Sequence, residues 1–232
     1  MPRRRVRGGK NSWSRRLALA AVAAVAAVAA LVAALGVVAA VVSAQTASGT
    51  VYLSFDDGPS RYTPRILAIL DQYGVHATFF ELGEHVAADP GLTRQVYAQG
   101  DSVQNHTWSH PDLRHVTAGV FATQVRSTDA VIRAQTGYTP LCLRPPYEAV
   151  DAGVYARAES LGKQIRLWTV DPQDWARPGT SAIEHRVLGK VKPGSIILLH
   201  DGGGNRSQTV AALPDILSTL QARGYAFATM WC

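Results

Sequence analysis

Two acidic residues stand side by side at the end of an apolar run, in the segment VYLSFDDGP that spans residues 51–59. Large apolar side chains at alternate positions indicate a strand, and the glycine and proline after Asp56 and Asp57 turn the chain. Adjacent carboxylates repel each other, and a strand-to-loop junction alone would have little use for both. A nearby cation would let both stay ionised, so the pair predicts a site that holds positive charge.

Two histidines could share such a cation. His106 and His110 are four residues apart in the segment NHTWSH, and on one turn of helix both imidazoles would face the same way. An isolated pair at this spacing is also typical of loop histidines that are bonded to backbone groups. Together with one carboxylate, however, the pair makes a three-ligand zinc site with a position open for water.

This chemistry would give the two aspartates separate tasks. Zinc lowers the pKa of a bound water to about 7, so one aspartate would bind the metal while the other takes the proton of that water as general base. The alternative is that one acid caps a turn and the other is merely solvated. The residue types alone do not say which acid would do which task.

A hydrolytic site also needs a proton donor for the leaving group, and His200 is the candidate because it ends the apolar run SIILLH. Asp174 could hold its ring and favour the charged form. Arg144 could pair with Asp56 and tune its basicity. The alternatives are a histidine that caps a strand and an ordinary salt bridge at the rim.

Three further residues could bind the substrate. Trp175 and Leu198 could wall a small apolar slot, although core packing uses the same residue types. The two prolines before Tyr147 restrict the backbone there. This restriction suits the presentation of a backbone N–H to an oxyanion.

The elements that must position these residues alternate along the chain. Apolar runs predict strands near 51–55, 76–80, 101–104, 141–143, 165–169, 195–199 and 226–230. Helical patterns lie between most of them, near 63–74, 90–99, 117–136, 152–161, 181–190 and 208–222. Pro214 should kink or break the last of these helices.

The alternation predicts an α/β fold with parallel strands, and about seven strands without a second domain indicate a distorted or incomplete (β/α) barrel. A doubly wound open sheet is the alternative, but no glycine-rich dinucleotide loop follows the first strand. Most of the candidate residues follow the carboxyl ends of predicted strands. In β/α barrels that rim is where active sites form.

The 23 basic and 17 acidic residues are unevenly distributed along the chain. Seven basic residues and no acidic residue fall within 1–44, so the remainder has 16 basic against 17 acidic residues and is close to neutral. All seven basic residues precede the uncharged stretch 17–42, and small residues in VSAQ end it, as in a signal peptide. We therefore assign the excess charge to targeting and exclude nucleic acid as a partner.

Residues 1–44 are interpreted as a signal peptide that is cleaved after Ala44, with an uncleaved single-span anchor through 17–42 as the alternative. Either form would export residues 49–232 as a secreted, cell-wall-associated or membrane-tethered catalytic domain, which we expect to be a monomer. An oxidising compartment would allow Cys142 and Cys232 to form a disulfide, and the alternative is two free thiols.

Five segments, in the order SFDDGP, NHTWSH, LRPPY, DPQDW and LLHDG, resemble the polysaccharide deacetylases of carbohydrate esterase family 4, which have the NodB-homology fold. Together they cover nearly all of residues 50–232. The resemblance implies a metal-dependent enzyme that removes N-acetyl groups from N-acetylglucosamine-type sugars of peptidoglycan or chitin-like oligosaccharides. An O-acetyl esterase on xylan or another acetylated glycan is the alternative. Zinc is the metal that the resemblance implies, and cobalt or nickel can serve in relatives.

The resemblance also assigns the tasks that the residue types left open, because it makes Asp56 the general base and Asp57 a metal ligand. The other roles that it implies are metal binding by His106 and His110, the general acid at His200, tuning of that acid by Asp174, a position near Asp56 for Arg144, an oxyanion-binding N–H at Tyr147, and an acetyl pocket at Trp175 and Leu198.

Two stretches depart from the family pattern. Relatives often have Gly-His-Glu-hydrophobic-Gly before the histidine motif, where this chain has GDSVQN with Asp101, Ser102 and Gln104. A glycine is usual after RPPY, where Glu148 stands. No ligand or catalytic group is lost, so activity is expected. Glu148 adds bulk and negative charge beside the oxyanion region, which keeps a glycan-binding pseudoenzyme as a second alternative.

Overall fold

The computed structural model describes residues 49–232, in which strands and helices alternate along the chain. The strands of this part are β1 (Gly49–Gly58), β2 (Thr78–Glu81), β3 (Ser102–Asn105), β4 (Cys142–Leu143), β5 (Gln164–Ile165), β6 (Ile196–His200) and β7 (Tyr225–Ala228). Its helices are α1 (Thr63–Tyr73), α2 (Gly83–Ala88), α3 (Pro90–Ala98), α4 (Ala118–Thr136), α5 (Ala152–Ser160), α6 (Thr180–Leu188) and α7 (Ser207–Ala222). Short 3-10 turns lie at Pro146–Glu148 and Asp174–Ala176.

The strands form one parallel sheet in which β1 lies between β2 and β6. They pair in the order β5-β4-β3-β2-β1-β6, and β7 lies beside the first residues of β1. The register places Asp56 opposite Phe80 of β2 on one side and opposite His200 of β6 on the other. The predicted distorted (β/α) barrel with about seven parallel strands is confirmed for the described residues.

The barrel is distorted between β5 and β6. Strand β5 has only two residues, Gln164–Ile165, although the sequence predicted a strand to residue 169. The chain instead crosses to β6, where Val170 forms an isolated parallel bridge with Ile197. This crossing brings the following segment to the carboxyl end of β6.

Local signals set most of the helix boundaries. Helix α1 has Pro64 in its first turn and ends at Gly74, whose φ of 61° is left-handed. Helix α4 begins after Thr117, whose hydroxyl accepts a hydrogen bond from the backbone N–H of Val120. Helix α2 was not predicted, because six residues are too few to show a helical period.

Helix α7 continues through Pro214, so the break that the sequence suggested there does not occur. Proline removes one backbone hydrogen bond from a helix interior. The helix is held by its buried face, in which Val210, Leu213, Ile216 and Leu217 join the main core. Burial of four large apolar side chains outweighs the loss of one hydrogen bond.

The main core lies between the sheet and the surrounding helices. Phe55 of β1 stacks on Phe79 of β2 with ring centroids 5.1 Å apart, and both rings are fully buried. Helix α1 covers them with Ile66, Leu67 and Leu70. Close packing on β1 gives the strand end that carries both aspartates a rigid support.

The C-terminal residues pack against β3 and β4. The carbonyl oxygen of Met230 accepts hydrogen bonds from Ser102 at 2.6 Å and Gln104 at 3.2 Å, both on β3. Cys232 forms a disulfide with Cys142 of β4, and their Cα atoms are 5.4 Å apart. The tail is therefore fixed to two neighbouring strands of the sheet.

The predicted targeting unit, residues 1–44 with the stretch 17–42, lies outside the described residues. The boundary between it and the predicted catalytic domain stays a prediction. Among the helices of residues 49–232, none is long and apolar enough to cross a membrane.

Candidate active site

The predicted site residues meet at the carboxyl ends of the strands, around a cavity of about 480 Å³. This volume is in the range of small-molecule sites. The cavity is lined by Asp56, Asp57, His106, His110, Tyr147, Glu148, Trp168, Asp171, Trp175, Leu198 and His200. Arg144 and Asp174 are not part of this lining but contact Asp56 and His200 from behind it.

Asp56 is held by a buried arginine. The guanidinium of Arg144 donates to Asp56 Oδ1 at 2.6 Å and to Ser54 Oγ at 2.8 Å. Its Cζ atom lies 3.9 Å from the centroid of the Phe80 ring. Because Arg144 is fully buried and Asp56 is 2% exposed, the two charges stabilise each other with little competition from water. The second oxygen, Oδ2, lies 3.7 Å from His106 Nε2.

Asp57, His106 and His110 bring one oxygen and two nitrogens within 4.8 Å of one another. Asp57 Oδ1 lies 3.4 Å from Nε2 of each histidine. This oxygen is buried and has no hydrogen-bond partner in residues 49–232, an arrangement that is costly unless a cation binds there. One carboxylate and two imidazoles are a donor set that zinc prefers. The three residues therefore fit a divalent metal ion.

The protonation of these groups suits metal binding. Burial opposes ionisation of Asp57, but the close approach of the His106 imidazole outweighs burial and holds the pKa of Asp57 well below its ordinary value. Burial lowers the pKa of His110 below its ordinary value, which favours the neutral ring that a metal requires. His106 Nδ1 donates to the carbonyl oxygen of Arg144 at 2.7 Å. This bond leaves the lone pair of Nε2 for a ligand.

The backbone of Asp57 is held in an unusual conformation. Its φ of 71° is left-handed, which strains a residue that carries a Cβ. Nδ1 of His85, on α2, donates to the Asp57 carbonyl oxygen at 2.9 Å. A Cβ at Gly202 would collide with that oxygen, and one at Gly203 would collide with Asp57 Oδ2. His85 and the glycine loop therefore fix the direction of the Asp57 side chain.

The two histidines do not lie on a helical turn, so the expectation from their spacing was wrong on this point. They lie on a loop after β3, with a φ of 73° at Thr107 and 60° at His110. The side chain of Gln124, on α4, accepts from the N–H groups of Trp108 and Ser109. These bonds from a distant helix shape the loop and bring the two imidazole centroids to 4.9 Å.

His200 is oriented by Asp174. Its Nδ1 donates to Asp174 Oδ1 at 2.6 Å, and its backbone N–H donates to Oδ2 at 2.9 Å. Thr209 of α7 also donates to Oδ2, at 2.7 Å. Burial disfavours the charged ring, but the hydrogen bond and the charge of Asp174 outweigh burial and raise the pKa of His200 to about 9. His200 is therefore protonated at neutral pH.

Apolar and aromatic side chains form the rest of the cavity wall. Leu198 is almost fully buried, whereas Trp175 and Tyr147 are more than half exposed. The Tyr147 ring meets the edge of His110 with centroids 4.5 Å apart. All three predicted substrate-binding residues thus line the cavity that contains the donor set.

Some residues of the site were missed from the sequence. Trp168 lines the cavity, but it fell in a predicted strand. His85 lies in a helix too short to be recognised. Gly203 belongs to the run GGG after LLHD. Consecutive glycines are a signal for close backbone approach that could have pointed to it.

The chain is similar to known deacetylases in sequence and in fold. The polysaccharide deacetylase family profile matches residues 43–166. A chitooligosaccharide deacetylase from Bradyrhizobium sp. (strain ANU 289) is 40% identical over 193 residues, 77% of this chain and 88% of the relative. A peptidoglycan-N-acetylglucosamine deacetylase from Bacillus cereus is 39% identical over 183 residues, 78% and 85% of the two chains. The crystal structure of the Bc1960 peptidoglycan N-acetylglucosamine deacetylase superposes with a TM-score of 0.76 at 35% identity, covering 80% of this chain and 87% of that one.

The fold is a distorted (β/α) barrel that carries a possible metal-binding donor set at its rim. With the similarities above, the chain belongs to the polysaccharide deacetylase family and is a carbohydrate deacetylase. The resemblance that its five segments indicated is confirmed. The roles of its individual residues stay predictions, which the variants described below test.

Proposed function

We propose that this chain is an exported, metal-dependent N-deacetylase that hydrolyses the acetamido group of N-acetylglucosamine-type sugars in peptidoglycan or chitin-like oligosaccharides. The observation that carries the proposal is the convergence of three groups on one cavity. These groups are the pair Asp56–Arg144, the donor set around Asp57, and the pair His200–Asp174. Two relatives are named for deacetylation of such sugars.

Asp57, His106 and His110 would hold the metal, with zinc as the expected ion and cobalt or nickel as substitutes. When bound, such an ion polarises the acetyl carbonyl group and lowers the pKa of the attacking water. The chain supplies the ligand geometry, because the bond from His106 Nδ1 to a backbone carbonyl fixes the orientation of that ring.

Asp56 is the proposed general base. Arg144 occupies Oδ1, so Oδ2 takes the proton from the water as its oxygen attacks the acetyl carbon. The buried guanidinium fixes the orientation of the carboxylate before the attack. Further bonds from Arg144 to the carbonyl oxygens of Arg166 and Leu167 hold the guanidinium in place.

His200 is the proposed general acid. Cleavage of an amide requires protonation of its nitrogen, because an amine anion is a poor leaving group. Asp174 holds Nδ1 and favours the charged ring, which leaves the Nε2–H to donate to that nitrogen. Asp174 itself does not line the cavity, so it acts as a positioning residue.

The acetyl group would lie against Leu198 and Trp175, which offer an apolar surface to its methyl group. The backbone N–H of Tyr147 is the proposed donor to the oxyanion that forms on the carbonyl oxygen. Its φ of 62°, directly after two prolines, commits the backbone to one local conformation.

We also propose that the enzyme acts on its substrate outside the cytoplasm. The uncharged stretch 17–42 follows a basic segment, which is the pattern of an export signal or anchor. The pairing of Cys142 with Cys232 suits an oxidising compartment.

Release of acetate tests the proposed function. The purified, zinc-loaded chain is incubated with chitotetraose, isolated peptidoglycan and acetylated xylan, and a chelator-treated sample is the control. We expect acetate from at least one of the first two substrates and none after chelation. Release from xylan alone would make the enzyme an O-acetyl esterase. Binding of glycans without release would make it a pseudoenzyme.

A further inference from the structure

Two carboxylates of the cavity have no part in the mechanism above. Glu148 and Asp171 line the same cavity as the proposed catalytic groups. We propose that they bind the ammonium group of a deacetylated glucosamine unit next to the N-acetylated one, so that the enzyme prefers partly deacetylated, cationic amino-sugar oligosaccharides. The inference rests on the proposed N-deacetylation and names the preferred substrate class.

The other acidic groups around the cavity already have partners. Arg144 pairs with Asp56, His200 pairs with Asp174, and Asp57 belongs to the donor set for a metal. No lysine or arginine is among the cavity-lining residues of the part that the structure describes. A sugar that enters the cavity therefore meets two uncompensated negative charges outside the proposed catalytic groups.

Glu148 is available for a cation. Its side chain is exposed and forms no hydrogen bond or ion pair with any residue in 49–232. It directly follows Tyr147, whose ring contacts His110 of the donor set. The φ of 55° at Glu148 continues the left-handed turn that begins at Tyr147. A carboxylate therefore stands one residue from the proposed oxyanion donor.

Asp171 has one carboxylate oxygen available for a cation. Its Oδ1 accepts the N–H of Gln173 at 2.6 Å, and its Oδ2 has no partner within the described residues. Arg186 reaches this segment, but it donates to the carbonyl oxygen of Pro172 and to the side chain of Gln173 instead. Arg186 therefore does not neutralise Asp171, and the negative charge of Asp171 acts on groups that enter the cavity.

The cavity also has room and walls for a sugar unit beside the acetyl group. Its volume of about 480 Å³ exceeds the need of one acetyl group. Trp168 and Trp175 line it, and indole faces both pack against sugar rings and attract ammonium groups. A protonated amine on a neighbouring sugar therefore gains from two carboxylates in this cavity.

Kinetics on matched oligosaccharides test the inference. The full zinc-loaded chain is assayed with fully acetylated chitotetraose and with chitotetraose that carries one free amine, in mildly acidic buffer at low salt. We expect kcat/KM per acetyl group to be about three- to tenfold higher for the tetramer with the amine, as two exposed charge contacts allow. The preference should shrink near about 1 M salt, where the Debye length is about 3 Å.

Charge-neutral variants assign the preference to residues. Glu148→Gln and Asp171→Asn keep the side-chain shapes, and the asparagine oxygen can still accept the Gln173 N–H. Each variant should reduce the preference, and the double variant should bring the ratio to about one. The matched control is Glu159→Gln on the exposed surface of α5, outside the cavity lining, which should keep the wild-type ratio.

Equal kcat/KM for the two tetramers at low salt would overturn the inference, and so would a preference that survives in the folded double variant. If a variant fails to fold, the salt dependence of the wild-type ratio still decides. The readout is a ratio between two substrates that both release acetate. Its failure is therefore distinct from failure of the proposed function, in which neither substrate would release acetate.

Discussion

Asp56 and Asp57 carry the same side chain, but they have different partners. Asp56 has one oxygen bonded to the guanidinium of Arg144, which fixes the carboxylate and leaves Oδ2 to accept a proton. Asp57 has a buried oxygen with no hydrogen-bond partner among the described residues, 3.4 Å from the Nε2 atoms of two histidines. The surroundings therefore suit one acid to proton transfer and the other to metal binding.

The contact between His85 and the Asp57 carbonyl oxygen predicts an effect on metal affinity. His85→Leu removes the donor that holds the left-handed backbone of Asp57. Loss of an outer-shell bond of this kind weakens metal binding by about 10- to 100-fold. Titration of the metal-free protein with zinc measures the Kd, with the exposed His115→Leu as control. An unchanged Kd in His85→Leu would show that Asp57 needs no such support.

The pair His200–Asp174 predicts the alkaline limb of the pH profile. Because Asp174 raises the pKa of His200 to about 9, the acid stays protonated up to that pH, and kcat should fall as the pH rises through about 9. Asp174→Asn removes the negative charge, so the fall should begin at a lower pH. Asp215→Asn, on the exposed face of α7, is the control. If kcat of Asp174→Asn falls at the same pH as kcat of the wild type, the role of Asp174 is contradicted.

At the scale of elements, the departures from the family pattern in β3 have a structural explanation. Ser102 and Gln104 both donate to the carbonyl oxygen of Met230, and Gln104 Oε1 accepts the N–H of Cys142. These side chains hold the C-terminal tail against β3 and β4. The departures thus serve to bind the tail and leave the donor set intact.

The disulfide between β4 and the tail predicts a stability effect without a catalytic one. It joins residues 90 positions apart, and a bridge of this kind stabilises a fold by about 2–4 kcal/mol. The double variant Cys142→Ser, Cys232→Ser should unfold at a lower denaturant concentration but still release acetate well below its melting temperature. Urea titrations of both proteins, with and without reductant, measure the difference. Equal midpoints for the oxidised wild type and the double variant would contradict the prediction.

The strands were predictable and the histidine loop was not, for physical reasons. Apolar runs such as that of β1 reflect burial, which is local information about which side chains avoid water. The loop at His106 depends on hydrogen bonds from Gln124, sixteen residues after Trp108 along the chain. Spacing alone cannot reveal such a contact, so the sequence predicted the wrong local structure for the two histidines.

At the scale of the whole molecule, the charge of the chain is divided between its parts. Seven basic residues and no acidic ones lie in 1–44, and the remainder is close to neutral.

Residue types alone did not assign separate roles to Asp56 and Asp57, because either aspartate could have been the metal ligand. Only the family resemblance separated them before the contacts of Arg144 and the histidines were known.

The basic residues of 1–44 and the uncharged stretch 17–42 predict how the chain is exported and cleaved. Expressed in a bacterial host with a general export pathway, the chain should leave the cytoplasm, and the mature protein should begin at Gln45 after cleavage behind Ala44. Mass spectrometry of the intact secreted protein measures its N-terminus. Full-length protein in the membrane fraction would instead indicate the anchor. Full-length protein in the cytoplasm would contradict export.

The central claim is that two adjacent acids have separate tasks, and Asp56→Asn tests it most directly. Acetate release from chitotetraose is measured together with bound zinc for this variant and the wild type. We expect Asp56→Asn to bind one equivalent of zinc like the wild type but to release acetate about 10²- to 10⁴-fold more slowly, because a general base is lost. Wild-type turnover in the variant, or loss of zinc and turnover together, would contradict it.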